Sequence, residues 1–150
     1  MKVVYHEDFL QQTHDYGHPE CPERLVAIMA YMKSHDILPE FITPEPAERT
    51  LVEKVHAPEY LDYLKHLGMG RIDPDTASFS HTYDMALLSA GGGLAAVKSM
   101  LDHNEPAFAL LRPPGHHAES AMAKGFCYLN NIGIAANWLS ERLEKVAIVD

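Results

Sequence analysis

The sequence predicts an α/β fold with helices flanking a parallel sheet, and three observations lead there. Short β-branched or all-apolar runs alternate with amphipathic stretches in the order strand, helix, strand, helix, strand, which favours parallel crossovers over hairpins. Two of those runs, Ala107–Leu111 and Val146–Val149, are apolar throughout, too short for helices and suited to strands buried on both faces. The chain has 150 residues, 47% hydrophobic and 22% charged, the size and balance of one globular domain.

Taken in order, Lys2–Tyr5 is a β-branched and aromatic run that reads as a first strand. Thr13–Glu20 is polar, holds Gly17 and Pro19, and reads as a loop. Pro22 opens a helical pattern in which Leu25, Ile28, Met29 and Met32 share an inward face. Pro39, Pro44 and Pro46 break the chain around a short strand at Phe41–Thr43, and Glu48–Val55 suits a short helix. Pro58 opens another, with Tyr60, Leu61 and Leu64 inward and Gly68 as its stop. The Gly, Pro, Asp and Ser of Gly68–Ser80 read as a surface loop. Thr82–Asp102 is the longest helix, with Leu87, Ala90, Leu94, Val97 and Leu101 on one face. Gly91–Gly93 inside it cost about 1 kcal/mol each against alanine, tolerated where another backbone approaches closely. Asn130–Leu143 is helical again, and Val146–Val149 follows as a strand. Parallel sheets carry ligands at the carboxyl ends of their strands. A chain ending at Asp150, straight after such a strand, is expected to be the N-terminal part of a longer protein.

Composition narrows the function. Twelve Lys and Arg against twenty-one Asp and Glu leave a net charge of −9, which argues against direct binding to a nucleic-acid backbone. No stretch approaches a membrane span, and acidic Glu7 and Asp8 interrupt any leader-like start, so a cytoplasmic protein is expected. Cys21 and Cys127 form no CxxC pair and read as free thiols of a reducing compartment. The serine-hydrolase elbow, the P-loop, the dinucleotide fingerprint and HExxH are all missing.

The chemistry concentrates in Arg112-Pro113-Pro114-Gly115-His116-His117-Ala118, followed by Gly125-Phe126-Cys127-Tyr128-Leu129-Asn130-Asn131. The block starts where the apolar run Ala107–Leu111 ends, so its bend faces the ligand side of a parallel sheet. Two adjacent imidazoles in a bent segment reach one cleft, as a pair of general acid/base groups requires. An arbitrary His-His pair is more often surface decoration; the strand-end position makes the two readings even.

Those two segments closely resemble the signature of the histone deacetylase superfamily, with its acetylpolyamine amidohydrolases and bacterial deacetylase-like hydrolases. The Arg-Pro-Pro form is similar to the class II side. The resemblance continues through His18-Pro19-Glu20-Cys21-Pro22-Glu23-Arg24, Val55-His56 with Tyr60-Leu61, and Asp75-Thr76 with Ala86–Gly92. It implies an arginase/deacetylase-like fold, here as the apparently truncated first part (residues 1–150) of a single domain. It also implies a zinc-dependent hydrolase that removes acyl groups from amines such as acetyl-lysine or acetylpolyamines. Matched by position, His117 is the general base, and His116 stabilises charge and helps protonate the leaving amine. Gly125 and Phe126 match the wall of the acyl tunnel, and Arg24 an inner-cavity arginine. Asp150 matches an aspartate that orients the first histidine and helps hold a structural monovalent cation (K+), not a Zn2+ ligand. The remaining ligands are expected beyond position 150, so the isolated chain is expected to be inactive and prone to aggregate or self-associate as an oligomer. A metal-free acylamine-binding module and a half-domain needing its complement are the alternatives.

The other candidates have plainer readings. His6, His14, His35, His56, His66, His81 and His103 are scattered and expected at the surface or in caps, whereas His18 is placed near the pocket mouth by its loop. Cys127, Tyr128 and Asn130 are assigned to packing and loop geometry. Asp73 and Asp75 are expected as solvated loop residues, with a place at the pocket rim as the alternative.

Overall fold

The computed structural model describes residues 1–11, 16–37 and 39–150, which leaves His14 and part of the Thr13–Glu20 loop outside the described residues. In chain order it contains β1 (Lys2–Val4), a 3₁₀ turn (Glu7–Leu10), α1 (Glu23–Ser34), β2 (Glu40–Ile42), α2 (Arg49–Val52) and α3 (Pro58–His66). There follow β3 (Gly70–Asp73), β4 (Thr76–Ser78), α4 (Thr82–His103), β5 (Ala107–Ala109) and α5 (Asn131–Ser140). β1 lies between β2 and β5, parallel to both, with Val3 level with Phe41 and Phe108. The parallel sheet flanked by helices is therefore present.

α4 organises the molecule because it packs against β1 and β5 of the sheet and against α3 and α5. Its burial runs nearly all round, through Met85, Ala86, Leu88, Ser89, Ala90 and Leu94, rather than along one stripe, while Leu101 is exposed. A helix between a sheet and other helices has no broad solvent face on which polar residues would stay hydrated. The glycines inside it mark close approaches. A Cβ at Gly91 would strike the Glu45 carbonyl, one at Gly92 the Leu111 side chain, and one at Gly93 would stand 3.2 Å from the Asn131 carbonyl oxygen of α5. Two apolar clusters result. One joins Val3 and Phe9 to Leu25 and Met32 of α1 and Met85 and Leu88 of α4. The other joins Leu61, Leu64, Leu94, Tyr128, Leu129 and Ile134.

Four expectations need correction. Gly68–Ser80 is not a plain surface loop but the antiparallel hairpin β3–β4, whose second strand is fully buried. Its turn is closed by the Asp75 amide donating to the Asp73 carboxylate at 2.8 Å, so these aspartates build the turn. β5 is not covered on both faces, since Phe108 stays 43% exposed, and it is also an outer strand of the sheet. Ile28 also lies at the exposed side of α1, leaving Leu25 and Met32 as that helix's buried residues. Val146–Val149 forms no strand and is mostly exposed, Val149 at 93%. An apolar run becomes a strand only with a ladder partner, and among the described residues none pairs with it.

Candidate functional site

The Arg112–Ala118 bend is held from beneath. Ser89 of α4 donates its hydroxyl to the Pro113 carbonyl at 2.7 Å, and the Asn131 amide of α5 donates to the same oxygen at 3.1 Å and to Ser89 Oγ at 2.9 Å. Gly115 is required by space, since a Cβ there would sit 2.5 Å from the Asn131 amide nitrogen and 2.6 Å from the Leu129 carbonyl oxygen. The bend closes with the Ala118 amide donating to the Gly115 carbonyl. Two long helices thus fix the backbone that presents the histidines.

His116 and His117 are both exposed, with ring centroids 4.1 Å apart and planes tilted by 46°. His116 Nδ1 lies 2.9 Å from an Asp150 carboxylate oxygen. An ionised carboxylate only accepts, so Nδ1 carries the hydrogen and Nε2 is the basic nitrogen whenever His116 is neutral. Against His117 lies Gly125, in left-handed backbone at φ +54°; a Cβ there would come within 2.7 Å of the His117 ring. Phe126 follows with φ +71°, a strained conformation for a bulky residue that persists only where its surroundings impose it. Here the Phe126 amide donates to Thr76 Oγ1 of β4 at 3.2 Å, and its ring meets His18 edge-on at 4.5 Å. The structure therefore brings His116 to His117 and Asp150, Gly125 to the His117 ring, and Phe126, next in sequence, to His18. Arg24 stands apart, exposed in the first turn of α1.

Cys127 is buried, its thiol pushed up by burial away from the thiolate form, which suits packing rather than nucleophilic attack. Tyr128 is buried and donates to the Ala77 carbonyl, while Tyr60 donates to the Tyr128 carbonyl; burial raises both phenols. Asn130 caps α5 by accepting from the Gly133 amide at 2.8 Å, and donates to the Ala118 carbonyl at 3.0 Å.

Two features escaped the sequence reading. Arg112 is fully buried and grips Glu20 through two parallel hydrogen bonds, and it also donates to the Phe9 and Gln11 carbonyls. It ties the loop carrying His18 to the His-His bend. Both residues sit inside recognised motifs, yet 92 positions separate them and nothing local announces the pair. His56, expected at the surface, is 1% exposed and bonded through both ring nitrogens. For four of the scattered histidines the expectation fits: His6 caps the 3₁₀ turn, and His35, His66 and His103 bond carbonyls one turn back in their helices.

The resemblance read from the sequence is matched by comparison with known proteins. The histone deacetylase domain matches residues 18–150. A probable deacetylase of Archaeoglobus fulgidus is 38% identical over 99% of this chain, which spans 44% of that protein. The polyamine deacetylase HDAC10 of Homo sapiens is 32% identical, again over 99% of this chain and 25% of its own length. The crystal structure of the HDA15 HD domain superposes with a TM-score of 0.84 at 28% identity, covering 93% of this chain and 43% of that one. The chain thus spans less than half the length of these relatives, and over that span it belongs to the histone deacetylase domain family.

Proposed function

We propose that this chain is the N-terminal part of a single-domain, zinc-dependent hydrolase that removes acetyl or other acyl groups from lysine side chains or polyamines. The observation that carries the reading is the His116–His117 pair, one imidazole on Asp150 and the other against Gly125, in a chain of deacetylase kinship. In this reading His117 removes a proton from the attacking water, and His116, oriented by Asp150, delivers a proton to the departing amine nitrogen. The amide and water become a carboxylate and an ammonium ion, the proton taken by His117 balancing the one that His116 gives. Phe126 and Gly125 line the passage for the acyl chain; Arg24, exposed on α1, lies apart from it, contrary to the inner-cavity place the resemblance implied.

The zinc ion, and a K+ beside Asp150, enter from the family resemblance. The described residues contain no group of three or more His, Cys, Asp or Glu side chains able to hold a metal, short of the three protein ligands usual at a catalytic zinc. No step is derived through either ion. A cytoplasmic setting without direct nucleic-acid contact completes the reading, supported by the net charge of −9.

The test is His117→Ala in the protein expressed from its complete reading frame, assayed on acetyl-lysine peptides and acetylpolyamines. Loss of turnover with metal content unchanged supports the assignment; near-wild-type turnover overturns it. The alternative of a half-domain needing its complement is favoured by one observation, the exposed apolar run Val146–Val149.

A further inference from the structure

The segment 118–130 carries Gly125 and Phe126 and leaves the helical framework between the His-His bend and α5. Within it the Glu119 amide donates to the Met122 carbonyl, Lys124 and Cys127 exchange reciprocal bonds, Lys124 pairs with Glu119, and the Asn130 side-chain amide donates to the Ala118 carbonyl at 3.0 Å. Its two ends also converge on one further side chain. His56, buried between α2 and α3, accepts the Asn130 amide on Nε2 at 2.9 Å and faces the Ser120 carbonyl with Nδ1 at 3.3 Å. The adjacent Ala57 amide donates to the same Ser120 oxygen at 2.9 Å. A nitrogen that accepts an amide hydrogen has none of its own, so Nε2 is bare and Nδ1 carries the proton, matched to a carbonyl that only accepts.

We infer that His56 is a positioning residue: a neutral Nδ1–H imidazole that clamps both ends of segment 118–130 and thereby sets where Phe126 and Gly125 stand beside His117. The function of the clamp rests on the acylamine-hydrolase reading; its existence does not. Both ring nitrogens are needed at opposite sides of the ring, so the two conservative replacements divide the task. In His56→Gln the longer side-chain amide presents its oxygen near the place of Nε2. In His56→Asn the shorter one presents an NH near that of Nδ1. The first variant therefore keeps the acceptor for the Asn130 amide, and the second keeps only the donor for the Ser120 carbonyl.

The experiment uses the protein from its complete reading frame. Nitrogen-15 NMR of the histidines in the unsubstituted protein should show His56 as the Nδ1–H tautomer; an Nε2–H tautomer or an imidazolium at neutral pH overturns the inference, whether or not any variant folds. Amide exchange should then speed up roughly tenfold or more at Asn130 in His56→Asn and across 119–122 in His56→Gln, with α3 and α4 unchanged in both. Equal exchange at Asn130 in all three proteins, or loss spread evenly over every helix, would make His56 a packing residue and sink the clamp. With acylamine substrates, each variant should raise KM more than it lowers kcat; a fall in kcat with KM unchanged in both variants would count against positioning. A protein inactive on all acylamines, with the tautomer and exchange as described, would refute the proposed reaction and leave the clamp standing.

Discussion

His116 and His117 differ less in chemistry than in company. Asp150 holds the Nδ1 side of His116 at 2.9 Å, while His117 has Gly125 against its ring. If His117 is the base, His117→Ala should lower turnover on the order of 10²–10⁴-fold, with metal content unchanged, checked by steady-state kinetics and metal analysis. His56 makes a different prediction. Burial holds its imidazolium form below the ordinary histidine range, so the folded state binds that proton less readily than the unfolded chain. Its neutral-state contribution is full above about pH 6.5 and declines as pH falls below it. The stability difference between the unsubstituted protein and His56→Gln, from urea unfolding at several pH values, should therefore narrow on acidification; a gap independent of pH would show that His56 does not titrate on unfolding. Arg112 and Glu20 form a buried pair, each side chain 1% exposed. Breaking such a pair from one side strands a charge, so Glu20→Gln should cost about 3–5 kcal/mol in the same unfolding measurements. A cost under about 1 kcal/mol would class the pair with exposed ones.

At the scale of elements, the site is a loop problem solved by helices. α4 and α5 supply Ser89 and Asn131 beneath Pro113, β4 supplies Thr76 beneath Phe126, and the junction of α2 and α3 supplies His56. Loops placed on rigid elements can hold unusual backbone, and two left-handed residues in succession, Gly125 and Phe126, are an instance. Gly125→Ala adds strain at φ +54° and drives a methyl into the His117 ring, so turnover should fall more steeply than thermal stability. Phe126→Ala should behave similarly, by widening the passage and loosening acyl alignment. Kinetics per folded molecule beside thermal unfolding separates the two effects; a large stability loss with activity kept would make Phe126 a core residue.

Across the whole molecule, the sheet has an open edge at β5, beside a half-exposed Phe108, and Ile148 and Val149 lie bare. Unpaired strand edges and exposed apolar runs promote association. The 150-residue chain alone is therefore expected to run as an oligomer or aggregate in size-exclusion chromatography, without stoichiometric zinc and without deacylase activity. Continuing it through the ligands expected beyond position 150 should reverse all three outcomes. One zinc per 150-residue chain with acylamine hydrolysis would overturn both the metal reading and the half-domain reading.

What the sequence determined by itself is what depends on short range. Apolar periodicity and proline placement located α1, α3, α4 and α5, and the all-apolar run located β5. The Arg-Pro-Pro-Gly-His-His block carried the family, because its residues are contiguous and their chemistry is visible in one line. The Asp73-Pro74-Asp75 turn carried a local signal for a hairpin between Arg71-Ile72 and Thr76–Ser78, but its loop-like composition hid the two strands. Tertiary structure alone decided the rest. His56 looks like any scattered histidine until the chain brings Ser120 and Asn130 to its two nitrogens, 64 and 74 residues away. Arg112 finds Glu20 at a comparable separation, and Val146–Val149 stays uncovered because no strand pairs with it among the described residues. Burial and long-range pairing are properties of chain closure, and no local pattern encodes which distant group will arrive.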